Sequence, residues 1–168
     1  AAKPDNVSFE QAAATPISGY AALQAVRDHG KVKAGQRVLI IGAGGGVGTF
    51  AVQIAKADGA EVTGVCSTSK TEQVRAIGAD HVIDYTKEDY TAGAKKYDVI
   101  IDMVATHGIL ANKGALAPEG RYVGVGGVGK AEDGKWMGPL AMPLKLLVLK
   151  PFIHQQMSFM LAEINPAD

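Results

Sequence analysis

Val38-Leu39-Ile40-Ile41-Gly42-Ala43-Gly44-Gly45-Gly46-Val47-Gly48 is the stretch from which the fold can be read. Four consecutive apolar residues leave no side for water, so the run predicts a strand buried on both faces, as in a parallel sheet flanked by helices. Glycines follow at once, and behind them Val47, Phe50, Ala51, Ile54 and Ala55 recur at helical spacing. Strand, glycine turn and amphipathic helix in that order predict a phosphate site. A diphosphate carries charge that main-chain amides and the positive end of a helix dipole can hold. Side chains would block its approach, and the last glycine lets the helix sit close on its strand. The literal G-x-G-x-x-G is absent; the frame is Ala43-x-Gly45-x-x-Gly48. Alone it is a weak signal, since glycine clusters also serve plain tight turns. Its setting between strand and helix raises it.

The alternation continues downstream. A strand is expected over 62–66, a short helix over 70–77 closed by Gly78, and strands over 81–84 and 97–102. A helix over 106–116, a strand over 121–125 and a sixth strand near 157–161 complete the series. Strand–helix–strand units with right-handed crossovers build an open, doubly wound parallel α/β sheet. The expected order is 3-2-1-4-5-6, with the ligand across the switch point between the first and fourth strands. Upstream, Ser8 and Gln11 have the spacing of a capping box. Pro16 is expected to break that helix, and a second segment over 17–28 is expected to stop at Gly30. The Gly-rich stretch 126–139 reads as a long loop.

Composition narrows the function. A chain of 168 residues, 47% hydrophobic and with 21 glycines, reads as one globular α/β domain. Seventeen Lys and Arg offset seventeen Asp and Glu, so no basic stripe exists for a nucleic acid backbone. The single cysteine, Cys66, leaves no internal disulfide or four-cysteine zinc site, and fits a reducing cytoplasm. No secretory signal stands at the start. The apolar segment 140–152 is short for a membrane span and contains Lys145 and Lys150, so burial or an interface is expected instead. The chain opens without methionine and stops at Asn165-Pro166-Ala167-Asp168, which has the form of a helix start. Both ends predict a piece of a larger protein.

The second strand indicates which dinucleotide. NAD sites place Asp or Glu at its end for the ribose hydroxyls. Here Cys66 stands there, followed by Ser67-Thr68-Ser69-Lys70. A carboxylate would repel a 2′-phosphate, whereas hydroxyls and an ammonium would hold it. NADPH is therefore expected over NADH. The competing reading is that these hydroxyls only cap the following helix.

No catalytic set emerges. His29, His81, His107 and His154 lack metal-ligand spacing, and no nucleophile–base pair can be argued. Cys66 reads as a buried small hydrophobe, and Asp102 as either a polar site residue or a cap. No metal is expected.

The run 42–56, Gly42-Ala43-Gly44-Gly45-Gly46-Val47-Gly48-Thr49-Phe50-Ala51-Val52-Gln53-Ile54-Ala55-Lys56, closely resembles the cofactor domain of the medium-chain dehydrogenases/reductases. The zinc-independent quinone oxidoreductase branch is nearest. Gly78-Ala79-Asp80-His81-Val82-Ile83-Asp84-Tyr85, Tyr97-Asp98-Val99-Ile100-Ile101-Asp102 and Gly120-Arg121-Tyr122-Val123-Gly124-Val125-Gly126-Gly127 agree in order. The resemblance implies that Gly45, Gly46 and Val47 meet the phosphates, with Gly48 behind them. It implies Ser67 and Lys70, joined by Tyr85, for the 2′-phosphate, and Val104, Val125 and Gly126 for the nicotinamide end. Tyr85 could equally be an ordinary half-buried aromatic. Two departures stand out: Ala21 where the family commonly has threonine, and Ala105-Thr106 where it favours glycine.

By the same resemblance, residues 1–168 form an NADP-binding Rossmann domain truncated from a two-domain enzyme. An N-terminal catalytic domain and a C-terminal closing segment would lie outside it. The parent would pass a hydride from NADPH to a quinone or enone, a small-molecule substrate, and the isolated domain would bind cofactor without turnover. Pairing through the sixth-strand edge would make a homodimer. Two alternatives stay open: the cofactor domain of a zinc-dependent alcohol dehydrogenase, and a non-catalytic nucleotide-binding module.

Overall fold

The computed structural model describes residues 3–107, 109–126 and 155–160. The expected loop after Gly126, the apolar segment 140–152, His154 and the terminal helix start all lie outside the described residues.

Six strands form one sheet in the order β3-β2-β1-β4-β5-β6. They are β1 Arg37–Ile41, β2 Glu61–Cys66, β3 His81–Asp84, β4 Tyr97–Asp102, β5 Leu116–Val125 and β6 Gln156–Met160, and every pairing is parallel. Helices α1 Phe9–Leu23, α2 Gly46–Ala57, α3 Thr71–Ala76 and α4 Ile109–Ala115 complete the order. The expected topology is the observed one.

The apolar run of β1 splits between two cores, as period-2 geometry requires. Val38 and Ile40 join Val62, Val99, Ile101 and Val123 under α1 and α2, whereas Leu39 and Ile41 join Val65, Ile100 and Tyr122 on the opposite face. Each such fully buried aliphatic side chain is worth about 1.5–3 kcal/mol relative to exposure. Helix α2 presents Gly48, Ala51, Val52 and Ala55 to the interior. Its small residues let it lie close to the sheet, which positions its N-terminus at the carboxyl edge of β1.

The expectation for Pro16 is corrected. The capping box at Ser8 and Gln11 starts α1, but the helix runs through Pro16 to Leu23. Pro16 is exposed, so its ring faces solvent, while Ala21 and Ala22 are buried against the core. That packing outweighs the lost hydrogen bond to Ala12. The expected stop at Gly30 is observed, although the cap is not glycine. Residues Gln24–Gly30 wind as a π-helix, and the left-handed residue that ends it is Lys31, at φ 48°. Gly30 is needed for another reason: a β-carbon there would stand 2.7 Å from the Ala25 carbonyl oxygen. Strand β5 begins earlier than expected, at Leu116, and takes the last residue assigned to the preceding helix.

Candidate functional site

The glycine turn sits at the carboxyl edge of β1, between that strand and α2. Gly42 makes the turn at φ 88°, a left-handed conformation that glycine adopts without strain. The amides of Gly42 and Ala43 both donate to the Val65 carbonyl at 3.0 Å, which pins the turn to the end of β2. Ala43 is fully buried. The sharp bend therefore belongs to Gly42, one residue before the first position of the motif frame.

Gly45 is the N-cap of α2 and carries no side-chain cap; its amide donates to the Gly42 carbonyl at 3.0 Å. The first helical hydrogen bond is that of Thr49 to Gly45, at 2.9 Å. The amides of Gly46, Val47 and Gly48 precede it and are the helix's open donors. Gly45 and Gly46 are exposed at this end. Gly48 is buried beneath the turn, where a β-carbon would stand 2.1 Å from the Gly42 carbonyl oxygen. A cradle of bare amides, which side chains would fill, fits a diphosphate.

One turn of chain away, Ser67 and Lys70 lie beyond the end of β2. A β-carbon on Gly44 would stand 2.9 Å from the Lys70 β-carbon, so the lysine stem crosses directly over the glycine turn. The Lys70 ammonium is exposed and donates to Gln73 at 3.2 Å. Neither Ser67, ahead of the 3-10 turn Thr68–Lys70, nor Lys70, ahead of α3, makes a side-chain cap. Helix capping thus leaves the Ser67 hydroxyl untouched; its contact is Ser69, at 3.3 Å. Tyr85 stands beside this loop, its amide donating to the Cys66 carbonyl at 3.1 Å. Its ring is 62% exposed, so it is not a half-buried core aromatic. Burial pushes the Cys66 thiol above its ordinary range, with the Asp84 carboxylate adding to the effect, so the side chain packs as a small hydrophobe.

Val104 lies on the other side of the turn. Its γ-methyl stands 2.8 Å from where a β-carbon on Gly42 would be, and the side chain is 45% exposed. Val125 and Gly126 close β5, with the Gly126 amide donating to Met160 at 3.2 Å. All ten residues singled out in the sequence therefore gather along one edge of the sheet. Gly42 and Val104 flank the switch point between β1 and β4.

Three features escaped sequence reasoning. The Ser18 hydroxyl oxygen, on α1, lies 3.0 Å from the position a β-carbon on Gly46 would take, so it overhangs the N-terminus of α2. Asp84 gathers Thr68 and Thr86 beneath the Ser67–Lys70 loop. Asp102 proves to be a cap, but of the turn after β4 and not of α4. Ser18 with Gly46 and Thr68 with Asp84 are pairings that no local pattern encodes.

Among the described residues, no three His, Cys, Asp or Glu side chains gather where they could hold a metal ion. Among them, too, no helix is long and apolar enough to cross a membrane.

Residues 46–160 match the zinc-binding dehydrogenase family. A mitochondrial NAD(P)H oxidoreductase of Mus musculus is 45% identical over 109 residues, which cover 61% of this chain and 28% of that protein. A 2-methylene-furan-3-one reductase of Solanum lycopersicum is 39% identical over 106 residues, 62% of this chain and 27% of that one. The Escherichia coli quinone oxidoreductase complexed with NADPH superimposes with a TM-score of 0.76 at 28% identity, covering 95% of this chain and 48% of that one. The chain thus spans about half the length of that solved structure and under a third of these two curated relatives.

Proposed function

The chain belongs to the zinc-binding dehydrogenase family, and on that premise we propose that it is the NADPH-binding domain of an oxidoreductase that reduces quinones or enones. The observation that carries this reading is the junction between β1 and α2. The amides of Gly46, Val47 and Gly48 open the helix without a side-chain cap, and Ser67 and Lys70 stand beside them without an acidic residue at the end of β2. The amides and the helix dipole hold the diphosphate. The Ser67 hydroxyl, the Lys70 ammonium and the exposed Tyr85 ring hold the 2′-phosphate end. Val104, Val125 and Gly126 line the path toward the nicotinamide. NADPH, once bound, supplies the hydride; this chain's residues bind and orient. The acceptor class is supported by the furanone reductase and the quinone oxidoreductase among its relatives.

In this reading the chain alone binds NADPH without turning over an acceptor, because the residues gathered here touch only the cofactor. Calorimetric titration with NADPH and NADH tests the assignment. NADPH should bind about tenfold more tightly, the effect expected of one charged hydrogen-bonded group. NADH binding as tight or tighter would overturn it. Brisk NADPH oxidation with a quinone by the same preparation would refute the absence of turnover. Metal analysis of the full-length protein separates this reading from a zinc-dependent alcohol dehydrogenase. The β6 edge is the proposed site of homodimer pairing; light scattering that finds only monomer at high concentration would count against it. The reducing cytoplasm that a lone buried cysteine suits is the proposed location, and cell fractionation tests it against a mitochondrion.

A further inference from the structure

Beneath the carboxyl edge of β4 lies a buried polar contact that phosphate binding does not use. Asp102 on β4 and Tyr122 on β5, each two residues from the other's register partner, are each 1% exposed. The Tyr122 hydroxyl donates to Asp102 Oδ2 at 2.9 Å. The other carboxylate oxygen, Oδ1, accepts from the Val104 amide at 2.9 Å and the Ala105 amide at 2.8 Å. Ala105 sits at φ 54°, a left-handed conformation that an L side chain holds only under strain. The Met103 amide meanwhile donates to the Ile41 carbonyl at 3.2 Å, so the turn is drawn across the gap between β4 and β1. Its outermost side chain, Val104, rests against Gly42.

We propose that Tyr122 and Asp102 are positioning residues for the dinucleotide: they hold the strained Met103–Ala105 turn so that Val104 forms a fixed wall of the cofactor crevice. This rests on the reading that the crevice holds NADPH. The chemistry is that of a preorganised site. A carboxylate that accepts two adjacent amides fixes the backbone far better than either bond alone, and it does so only if its own orientation is fixed. Tyr122 fixes it. Burial raises the Tyr122 hydroxyl above its ordinary range, with the Asp102 charge adding to the effect, so the donor stays protonated. The Phe159 ring, edge-on at 5.9 Å, packs against the tyrosine from β6 and limits its movement. Without the clamp, Ala105 relaxes out of the left-handed region, and Val104 leaves the crevice wall.

The test is Tyr122→Phe, which keeps the buried ring and deletes only the hydroxyl. NADPH titration of this variant should show about fivefold weaker binding, the equivalent of one charge-assisted hydrogen bond of modest strength. Amide exchange at Val104 and Ala105 should accelerate together by about tenfold. Adding Ala105→Gly should return the affinity to within about twofold of the parent, because glycine adopts the left-handed conformation without a tether. A residue that merely fills the core would not be rescued from a distant turn. Parent-like affinity in Tyr122→Phe, or no recovery on adding Ala105→Gly, overturns the inference. Should Tyr122→Phe fail to fold, exchange in the unsubstituted chain decides. Protection of both amides supports the clamp, and exchange at the unstructured rate for either refutes it. An unsubstituted chain that does not bind NADPH removes the reading of the site, and this inference with it; a binding parent with an indifferent variant removes only the inference.

Discussion

The Thr68 hydroxyl donates to the Asp84 carboxylate at 2.6 Å, tying the loop that carries Ser67 and Lys70 to the end of the neighbouring strand. Thr86 supports the same carboxylate from the other side, through its hydroxyl at 2.7 Å and its amide at 3.0 Å, and Lys87 stands 3.4 Å away. The loop proposed to read the 2′-phosphate is thus held from below by a small polar cluster.

That cluster makes stability depend on pH in a stated direction. The Thr68 hydroxyl above all, with Thr86 and Lys87, holds the Asp84 carboxyl well below the ordinary carboxylate range. The folded state therefore favours the ionised form. Its contribution is complete above the unfolded value of about 3.9 and is lost as pH falls through and below it. Asp84→Asn should flatten part of the loss of stability between about pH 5 and pH 3. Urea midpoints at both pH values check this; parallel losses in parent and variant would contradict it.

Lys70→Ala should weaken NADPH binding by about tenfold and leave NADH unchanged, since only the former carries the extra phosphate. Equal losses for both nucleotides would show that Lys70 shapes the turn over Gly44 and does not read the phosphate. Calorimetry with each nucleotide separates the two outcomes.

Two glycine substitutions should act in opposite directions. Gly48→Ala forces a β-carbon to within 2.1 Å of the Gly42 carbonyl oxygen, a contact that must push helix and turn apart. A loss of about 3 kcal/mol of stability is expected, with loss of nucleotide binding. Gly114, within α4, has nothing within 4 Å of its β-carbon position and no left-handed φ. Gly114→Ala should therefore add about 0.5–1 kcal/mol. Thermal unfolding of both variants provides the comparison.

Pro16→Ala should stabilise the chain by about 1 kcal/mol, because it restores the amide that can reach the Ala12 carbonyl within α1. A lowered melting temperature would mean that the proline's restriction of the unfolded chain outweighs that gain.

Much of the architecture was legible because its signals are local. The run Val38-Leu39-Ile40-Ile41 has no polar face, and the later strands up to β5 recur as short apolar runs between helical stretches. The glycine-lined junction was legible for the same reason: a strand, bare glycines and a helix start are consecutive in the chain. Even so, the turn belongs to Gly42, because only the packing of Ala43 into the core decides which residue must bend.

Local rules failed where distant contacts supplied the larger energy. Pro16 has the form of a helix end, yet Ala21, Ala22, Ala25 and Val26 are buried, and their packing carries the winding past it. The sequence by itself determined the strand series, the glycine-lined junction and the missing acidic residue after β2, since each is written in neighbouring positions. Only the tertiary structure decided that Asp102 meets Tyr122, that Thr68 meets Asp84 and that Ser18 overhangs Gly46. Those partners are far apart in the chain, and they meet only once the fold has brought the strand and helix ends together.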